Sequence, residues 1–298
     1  MKIFTCSACH QVLFFENVQC TKCGHTLAFL PDHGTVSALE AVDRRDAAVS
    51  SPPGLMVALA PTARGQRYRL CRNYVEHAAC NWAIPVADEN ELCRACRLND
   101  VIPNLSDGHA KEGWRRMERA KRRLLHTLIE LGLPVESKHE TPGGLAFCFL
   151  EDGASSKVFT GHNDGIITIN LAEADDPFRE KTREQLGETY RTLLGHFRHE
   201  IGHYYWDRLI KNSNDLAAFR DLFGDEQADY AAALRRHYEL GAPPDWASTF
   251  VSAYASMHPW EDWAETWSHY LHMVDTLETA RTYGLAVRAE PESPDSKA

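Results

Sequence analysis

The sequence predicts an α+β fold, mainly helical with a small sheet, preceded by small metal-binding modules. Three observations lead to this prediction. Eight of the nine cysteines lie within the first hundred residues. Two apolar runs between residues 145 and 171 have the length and composition of strands. Most of the chain after Pro177 shows the apolar spacing of helices.

Length and charge restrict the class of protein. With 298 residues, 44% of them hydrophobic and 25% charged, the chain can form one large domain with smaller additions. A net charge of −10 argues against a general nucleic-acid binder, which needs an excess of Lys and Arg. No apolar run reaches the roughly 18 residues that span a membrane, and no apolar leader follows Met1. We therefore expect a cytoplasmic protein with no membrane partner.

The first cysteine cluster predicts a structural zinc site. Cys6-x-x-Cys9 and Cys20-x-x-Cys23 are separated by ten residues, so each pair can form a tight turn and four thiolates can surround one ion. In a chain without a signal peptide, such pairs indicate zinc rather than disulfides. A segment this short has little core of its own without a metal. We therefore predict a zinc ribbon at residues 1–35.

A second cysteine cluster follows residues 36–66, a segment with Ala-rich and Pro-containing stretches that we interpret as a linker. The cluster could hold a second structural zinc through four residues: Cys71, Cys80, Cys93 and Cys96. We assign residues 67–104 to this module. Two alternatives remain open, because the cysteines could be buried small apolar residues and His77 could replace one of them as a ligand.

The larger part of the chain, residues 105–285, is predicted to form one domain. Apolar residues recur at helical spacing from Lys111 to Leu131 and indicate one long helix, whose many basic residues are either solvated or a docking face. Leu145–Leu150 and Gly165–Leu171 are predicted strands, and the second is a candidate edge for an extended peptide. We expect the tail, residues 286–298, to be disordered.

One short motif has the spacing of a catalytic metal site. His199-Glu200-Ile201-Gly202-His203 lies in a strongly apolar segment with helical character. Residues four apart share one helix face, so both imidazoles can reach one zinc ion while Glu200 faces the water that the metal activates. Zinc lowers the pKa of that water, and Glu200 can take its proton as a general base. A Glu in so apolar a helix would be costly without such a role.

A catalytic zinc needs a third protein ligand, and two downstream segments offer carboxylates on predicted helices. One contains Asp225 and Asp229, four residues apart. The other contains Glu261 and Glu265 one helical turn apart, so that one could bind the metal while the other orients a ligand imidazole. Either pair could instead be a solvated acidic face. The residues alone leave this choice open.

This region resembles the catalytic region of anthrax lethal factor and related gluzincin peptidases. The matching parts are His199-Glu200-Ile201-Gly202-His203, then Tyr254, then Glu261-Asp262-Trp263-Ala264-Glu265. The resemblance implies that Glu261 is the third ligand and that Tyr254 stabilises the oxyanion. Asp225 and Glu265 remain alternative ligands or supporting residues.

Most of the chain also resembles the bacterial zinc-binding metallopeptidases that carry an N-terminal zinc ribbon. This likeness includes the metal motif and three cysteine segments: Cys71-Arg72-Asn73-Tyr74, Cys80-Asn81-Trp82 and Cys93-Arg94-Ala95-Cys96. It implies a zincin-like peptidase domain at residues 105–285.

Together these features predict a zinc metallopeptidase with one catalytic and two structural zinc ions. Its substrate would be a peptide or protein, hydrolysed by metal-activated water with Glu200 as general base. Two other functions fit the same residues. The zinc ribbons could bind a protein or nucleic acid as a non-catalytic scaffold, or the metal site could hydrolyse a substrate that is not a peptide.

Overall fold

The structure, a computed structural model, describes residues 2–42, 54–153, 155–186 and 191–286. The tail that we expect to be disordered lies, apart from residue 286, outside these residues. Within them, none of the helices combines the length and apolar character that a membrane span requires.

The N-terminal part contains two antiparallel sheets. Strands β1 (Phe4–Thr5) and β2 (Val12–Leu13) form a hairpin beside the first cysteine pair. A five-stranded sheet follows in chain order, comprising β3 (Thr26–Leu30), β4 (Thr35–Ala41), β5 (Leu55–Ala58), β6 (Arg67–Leu70) and β7 (Ala83–Pro85). A short helix, α1 (Arg72–Val75), follows Cys71 and connects β6 to β7. The first cysteine cluster thus precedes the five-stranded sheet, and the second begins where β6 ends.

The segment 36–66 differs from the linker that we expected. Its described part contains most of β4 and all of β5, and Leu39 of β4 pairs with Ala58 of β5. Ala38 and Ala58 are fully buried. Alanine has low intrinsic strand preference, but cross-strand packing can override that preference. The small side chains that suggested a linker instead let the sheet pack closely.

A third sheet, of four strands, begins the larger domain. Its strands are β8 (Asn99–Val101), β9 (Ala146–Leu150), β10 (Gly161–Asn163) and β11 (Ile166–Asn170), in the spatial order β10-β11-β9-β8. Both predicted strands are confirmed as β9 and β11. The predicted edge strand is wrong, because β11 lies between β9 and β10 and the edge is β10.

Six further helices complete the described chain: α2 (Gly108–Glu130), α3 (Asp176–Leu186), α4 (Leu193–Leu209), α5 (Leu216–Phe223), α6 (Tyr230–Leu240) and α7 (Pro259–Thr282). The long helix predicted at residues 111–131 is confirmed as α2. The fold is therefore α+β, with three sheets among the described residues, and the expectation of a mainly helical fold is not confirmed.

Helices α4 and α7 pack closely, and this contact brings the metal motif to its partners. A Cβ atom added to Gly202 would lie 3.1 Å from Cα of Ala264 and 3.2 Å from Cβ of Trp267. The indole of Trp263 donates a hydrogen bond to the carbonyl of Gly202 at 2.9 Å. A larger residue at position 202 would push α7 away, so the glycine inside the motif sets the distance between the two helices.

The basic residues of α2 dock the N-terminal sheets onto the larger domain. Arg122 is buried and donates hydrogen bonds to Oδ1 of Asn81, at 2.7 Å, and to the carbonyl of Ala79. Arg115 donates to the carbonyl of His77 at 2.7 Å. Apolar residues from both parts form one buried cluster around α2. The basic residues of α2 were expected to be either solvated or a docking face. The structure supports a docking face, and the surface that docks on it is the N-terminal part of the same chain.

Replacing Arg122 with Ala should lower the free energy of unfolding by about 3 kcal/mol. The change leaves two buried acceptors, on Asn81 and Ala79, without a charged donor, and such losses are expensive in a buried site. Chemical denaturation followed by fluorescence would measure the effect. Arg119 lies on the same helix but is exposed, so Arg119→Ala should cost less than about 0.5 kcal/mol. Equal losses in both variants would contradict the docking role of α2.

Candidate active site

Both cysteine clusters have the geometry of tetrathiolate zinc sites. The sulfurs of Cys6 and Cys23 are 3.7 Å apart, as are those of Cys80 and Cys93. Two thiolates bound to one tetrahedral zinc would be ~3.8 Å apart. All eight cysteines are free, and they converge as two separate groups of four. His77 belongs to neither group, which removes the reason to prefer it as a ligand.

Helix α4 places the metal motif. Thr192 begins the helix by accepting a hydrogen bond from the backbone of Gly195 at 3.0 Å. From there, His199 and His203 lie one turn apart, with their Nε2 atoms 3.2 Å from each other. Two nitrogens bound to one tetrahedral zinc would be ~3.4 Å apart. The helix alone therefore brings the two predicted imidazoles to a metal-binding separation.

Glu261 completes the group from the first turn of α7. His258 caps this helix through its side chain, and Pro259 occupies the first helical position. Oε2 of Glu261 then lies 2.9 Å from Nε2 of His199 and 3.5 Å from Nε2 of His203. All three side chains are largely withdrawn from solvent. The structure thus brings together the three residues expected to bind a catalytic zinc.

Asp225 and Asp229 do not join this group. The predicted helix carrying both of them is wrong, because they lie in the connection between α5 and α6. Asp225 accepts a hydrogen bond from the backbone of Gln227 at 2.9 Å, and Asp229 caps α6 by accepting one from Ala232 at 3.0 Å. Gly224 ends α5 with a φ of 100°, a value that favours glycine. Helix ends therefore explain this acidic pair.

Glu265 lies on the far side of His199. Its Oε1 atom is 2.7 Å from Nδ1 of His199, and Ser252 donates a hydrogen bond to its other oxygen at 2.6 Å. Burial alone would raise the pKa of Glu265, but the hydrogen bond with His199 outweighs it and lowers the pKa to about 2. The ionised carboxylate holds the proton of His199 on Nδ1 and leaves Nε2 free to bind a metal.

The three inward-facing atoms fit a cation. Oε2 of Glu261 is buried and accepts no hydrogen bond from the described residues. It faces the Nε2 atoms of both histidines, and because the proton of a neutral His199 is on Nδ1, the lone pairs of its Nε2 and of Oε2 meet unless the ring takes an extra proton. Burial opposes that proton, yet Glu261 and Glu265 raise the pKa of His199 well above its ordinary value. A divalent cation would replace the proton and satisfy all three atoms.

Glu200 is buried beside the metal-binding group and does not belong to it. It belongs to α4 between the two histidines but not to the converging metal-binding group. Only 8% of its surface is exposed. Burial raises its pKa above the usual value, although the neighbouring histidines oppose the shift. A raised pKa brings a carboxylate closer to the range in which it can both accept and return a proton.

Two tyrosines stand beside the metal-binding group. The ring of Tyr254 lies 6.0 Å from that of His199. Tyr230, on α6, donates a hydrogen bond from its hydroxyl to Oε1 of Glu261 at 2.8 Å. Burial raises the pKa of both tyrosines, and the nearby charge of Glu261 raises it further. Both therefore remain protonated hydrogen-bond donors.

Several neighbours of the metal-binding group carried no sequence signal. Tyr230 and Ser252 lie far from the motif along the chain and support Glu261 and Glu265 respectively. The ring of Trp260 lies 3.9 Å from that of His203. His162 is a residue of strand β10, and the centre of its ring lies 6.4 Å from that of His203. Of these residues, Trp260 is the one that the sequence could have placed near the metal, because it precedes the candidate ligand Glu261 on the same predicted helix.

A zinc-ribbon region joined to a domain with this metal-binding group defines a zinc-binding protein of the metallopeptidase class. Comparison with protein families agrees. A family model described as "Putative zinc-binding metallo-peptidase" matches residues 110–297, and the chain belongs to this family. A zinc-ribbon domain model matches residues 3–107. The zinc-ribbon match spans both cysteine clusters and the segment between them.

The relatives are mycobacterial. The chain is 44% identical over 288 residues to uncharacterized proteins of Mycobacterium bovis and of two strains of Mycobacterium tuberculosis. The match covers 96% of this chain and 77% of each relative. No solved structure matches the chain. The resemblance to lethal factor stays a prediction.

Proposed function

We propose that this protein is a peptidase in which His199, His203 and Glu261 hold a catalytic zinc and Glu200 acts as general base. One observation carries the proposal, namely the convergence of two imidazole nitrogens and one carboxylate oxygen beside a buried carboxylate that does not belong to the group. A site that only stabilised the fold would have no use for that fourth group. Structural zinc sites are closed by four protein ligands, whereas catalytic sites keep a position open.

When bound, zinc would polarise the substrate carbonyl and lower the pKa of water in the site. The other steps belong to the chain. Glu200 would accept a proton from the attacking water and pass it to the leaving amine. Glu265 would hold His199 in its binding orientation, and Ser252 would hold Glu265. Tyr254 would donate a hydrogen bond to the oxygen that becomes negative in the transition state.

The two cysteine clusters would each hold a structural zinc. Their sulfur separations fit that role, and they join the larger domain through the interface around α2. We therefore expect purified protein to contain close to three zinc ions per chain, because tetrathiolate sites retain zinc through purification. Elemental analysis would measure this. A content near one zinc, with the thiols freely reactive under native conditions, would contradict both structural sites.

Hydrolysis of casein and of a mixed peptide library would test the proposed activity. Peptide cleavage should stop after treatment with a chelator and return when zinc is restored. A protein that cleaves esters or amides but no peptide would instead be a zinc hydrolase with another substrate. A protein with full zinc and no turnover on any of these would be a scaffold. Mass spectrometry of the products would distinguish these outcomes.

A further inference from the structure

A cleft opens directly beside the metal-binding group. It has a volume of about 350 Å³ and lies between β10, α4 and the start of α7. His162, Trp206 and Trp260 line it. Trp260 also packs on the ring of His203 at 3.9 Å. Any group in this cleft would therefore be a near neighbour of a substrate bond held at the metal.

The backbone of Gly165 determines which ring nitrogen of His162 carries the proton. The N–H of Gly165 donates to Nε2 of His162 at 3.0 Å. A ring nitrogen that accepts a hydrogen bond carries no proton, so the proton of the neutral ring is on Nδ1. That Nδ1–H is buried and has no acceptor among the residues that the structure describes. An unpaired buried donor is unfavourable, and a bound acceptor would remove the cost.

Two other lining residues share this property. The indole N–H groups of Trp206 and Trp260 are also buried, and neither has an acceptor in the described part of the chain. Three of the residues that line one small cleft thus carry unpaired donors. This composition favours a ligand with oxygen acceptors.

The charges in and around the cleft indicate which kind of oxygen fits. Three carboxylates line it, and each pairs with a basic side chain: Asp164 with Lys138, Asp207 with Lys211, and Glu226 with Arg220. Lys211 is the one Lys or Arg among the described lining residues, and it already forms an ion pair with Asp207. Because each lining carboxylate already occupies its basic partner, a ligand carboxylate would have no free cation to neutralise it among the described lining residues. An uncharged carbonyl would meet only the donors.

The position of β10 adds a second argument. It is one edge of the four-stranded sheet, so the side of its backbone facing away from β11 has no strand partner among the described residues. Extended peptides bind such edges through main-chain hydrogen bonds. His162 is the middle residue of this strand, between Gly161 and Asn163. A peptide that follows the edge would bring its carbonyl groups past His162.

We propose that this cleft is a substrate subsite for uncharged peptide carbonyls, with Nδ1–H of His162 as a donor, and that it selects internal segments over free carboxyl ends. The proposal rests on the proposed peptidase function. The subsite disfavours a chain that ends at the cleft, because its carboxylate would find no unpaired basic side chain among the described lining residues.

His162→Phe should raise KM ~5- to 10-fold for internally quenched octapeptides and change kcat less than ~2-fold. Loss of one neutral hydrogen bond corresponds to about 1 kcal/mol. His139→Phe makes the same change at an exposed site and should leave both constants unaltered. Zinc content and the unfolding midpoint would show whether His162→Phe folds. If it does not, Trp206→Phe removes a second donor from the cleft and should raise KM in the same way.

The same octapeptides with an amidated or a free C-terminus test the selection. Amidated peptides should be cleaved with kcat/KM at least equal to that of the free acids, and at internal bonds. A tenfold preference for free acids would overturn the subsite, and so would an unchanged KM in folded His162→Phe or Trp206→Phe protein that cleaves peptides. In those cases wild-type cleavage would still support the peptidase function. Wild-type protein that cleaves no peptide would overturn both proposals.

Discussion

Glu200→Gln should retain the catalytic zinc and lose nearly all peptide hydrolysis. General base catalysis by a positioned side chain contributes ~10²- to 10⁴-fold, and an amide cannot accept the proton. We therefore expect kcat to fall ~1,000-fold, with zinc content unchanged because Glu200 is not among the converging ligands. Burial already disfavours the charged form of Glu200, so the neutral amide should be tolerated without loss of stability. Stopped-time peptide assays and elemental analysis would measure the two effects.

Two further variants control this result. Glu91→Gln makes the same chemical change in an exposed residue of the zinc-ribbon region and should leave kcat unaltered. His199→Ala should lose the catalytic zinc as well as the activity, since it removes a ligand. Normal peptide hydrolysis by Glu200→Gln would show that the mechanism is wrong, whatever its zinc content.

The sequence was most informative where a site is built from residues close together in the chain. The separation of His199 and His203 follows from helix geometry, and the structure places their ring nitrogens 3.2 Å apart. The same holds for the Cys-x-x-Cys pairs, whose turns are local. Long apolar runs such as Ala146–Leu150 were also predictable, because burial on both faces leaves a continuous signal.

Features that depend on distant partners were less predictable. Strand β10 has the sequence Gly-His-Asn, which has no strand character, and it forms because β11 offers a partner. The docking role of Arg122 depends on acceptors about forty residues away. Tyr230 donates its hydrogen bond to a glutamate 31 residues further along the chain. Each of these contacts is set by tertiary packing, which a local pattern does not encode.

The residue types on either side of the acidic pair indicate the end of one helix and the start of another. Gly224 and Asp229 have the residue types that end one helix and begin the next. Considered in that way, the acidic pair at 225 and 229 has a structural explanation and needs no metal. The choice of Glu261 came from the resemblance to gluzincins, and the convergence of its Oε2 atom with the two histidines supports that choice independently.

Glu261→Ala should release the catalytic zinc while the cysteine-bound zinc remains. Removing one of three protein ligands leaves two imidazoles, so we expect the catalytic zinc affinity to fall more than ~100-fold, beyond the ~10- to 100-fold loss typical of a supporting residue. Asp225→Ala is the matched control, because it removes a carboxylate that only caps a turn. Competition with a chromogenic chelator would measure the affinity. Loss of zinc from Asp225→Ala but not from Glu261→Ala would move the third ligand to the α5–α6 connection.

Substitution of the two tyrosines should have different effects, one on catalysis and the other on metal binding. Tyr254→Phe should keep its zinc and nearly its KM, while kcat falls ~10- to 1,000-fold, because the lost hydrogen bond forms mainly in the transition state. Tyr230→Phe removes the donor to Oε1 of Glu261 and should weaken zinc binding ~10- to 100-fold. With zinc in excess, its kcat should largely recover, whereas that of Tyr254→Phe should not. If excess zinc restored Tyr254→Phe instead, Tyr254 would support a ligand and Tyr230 would be the candidate oxyanion donor.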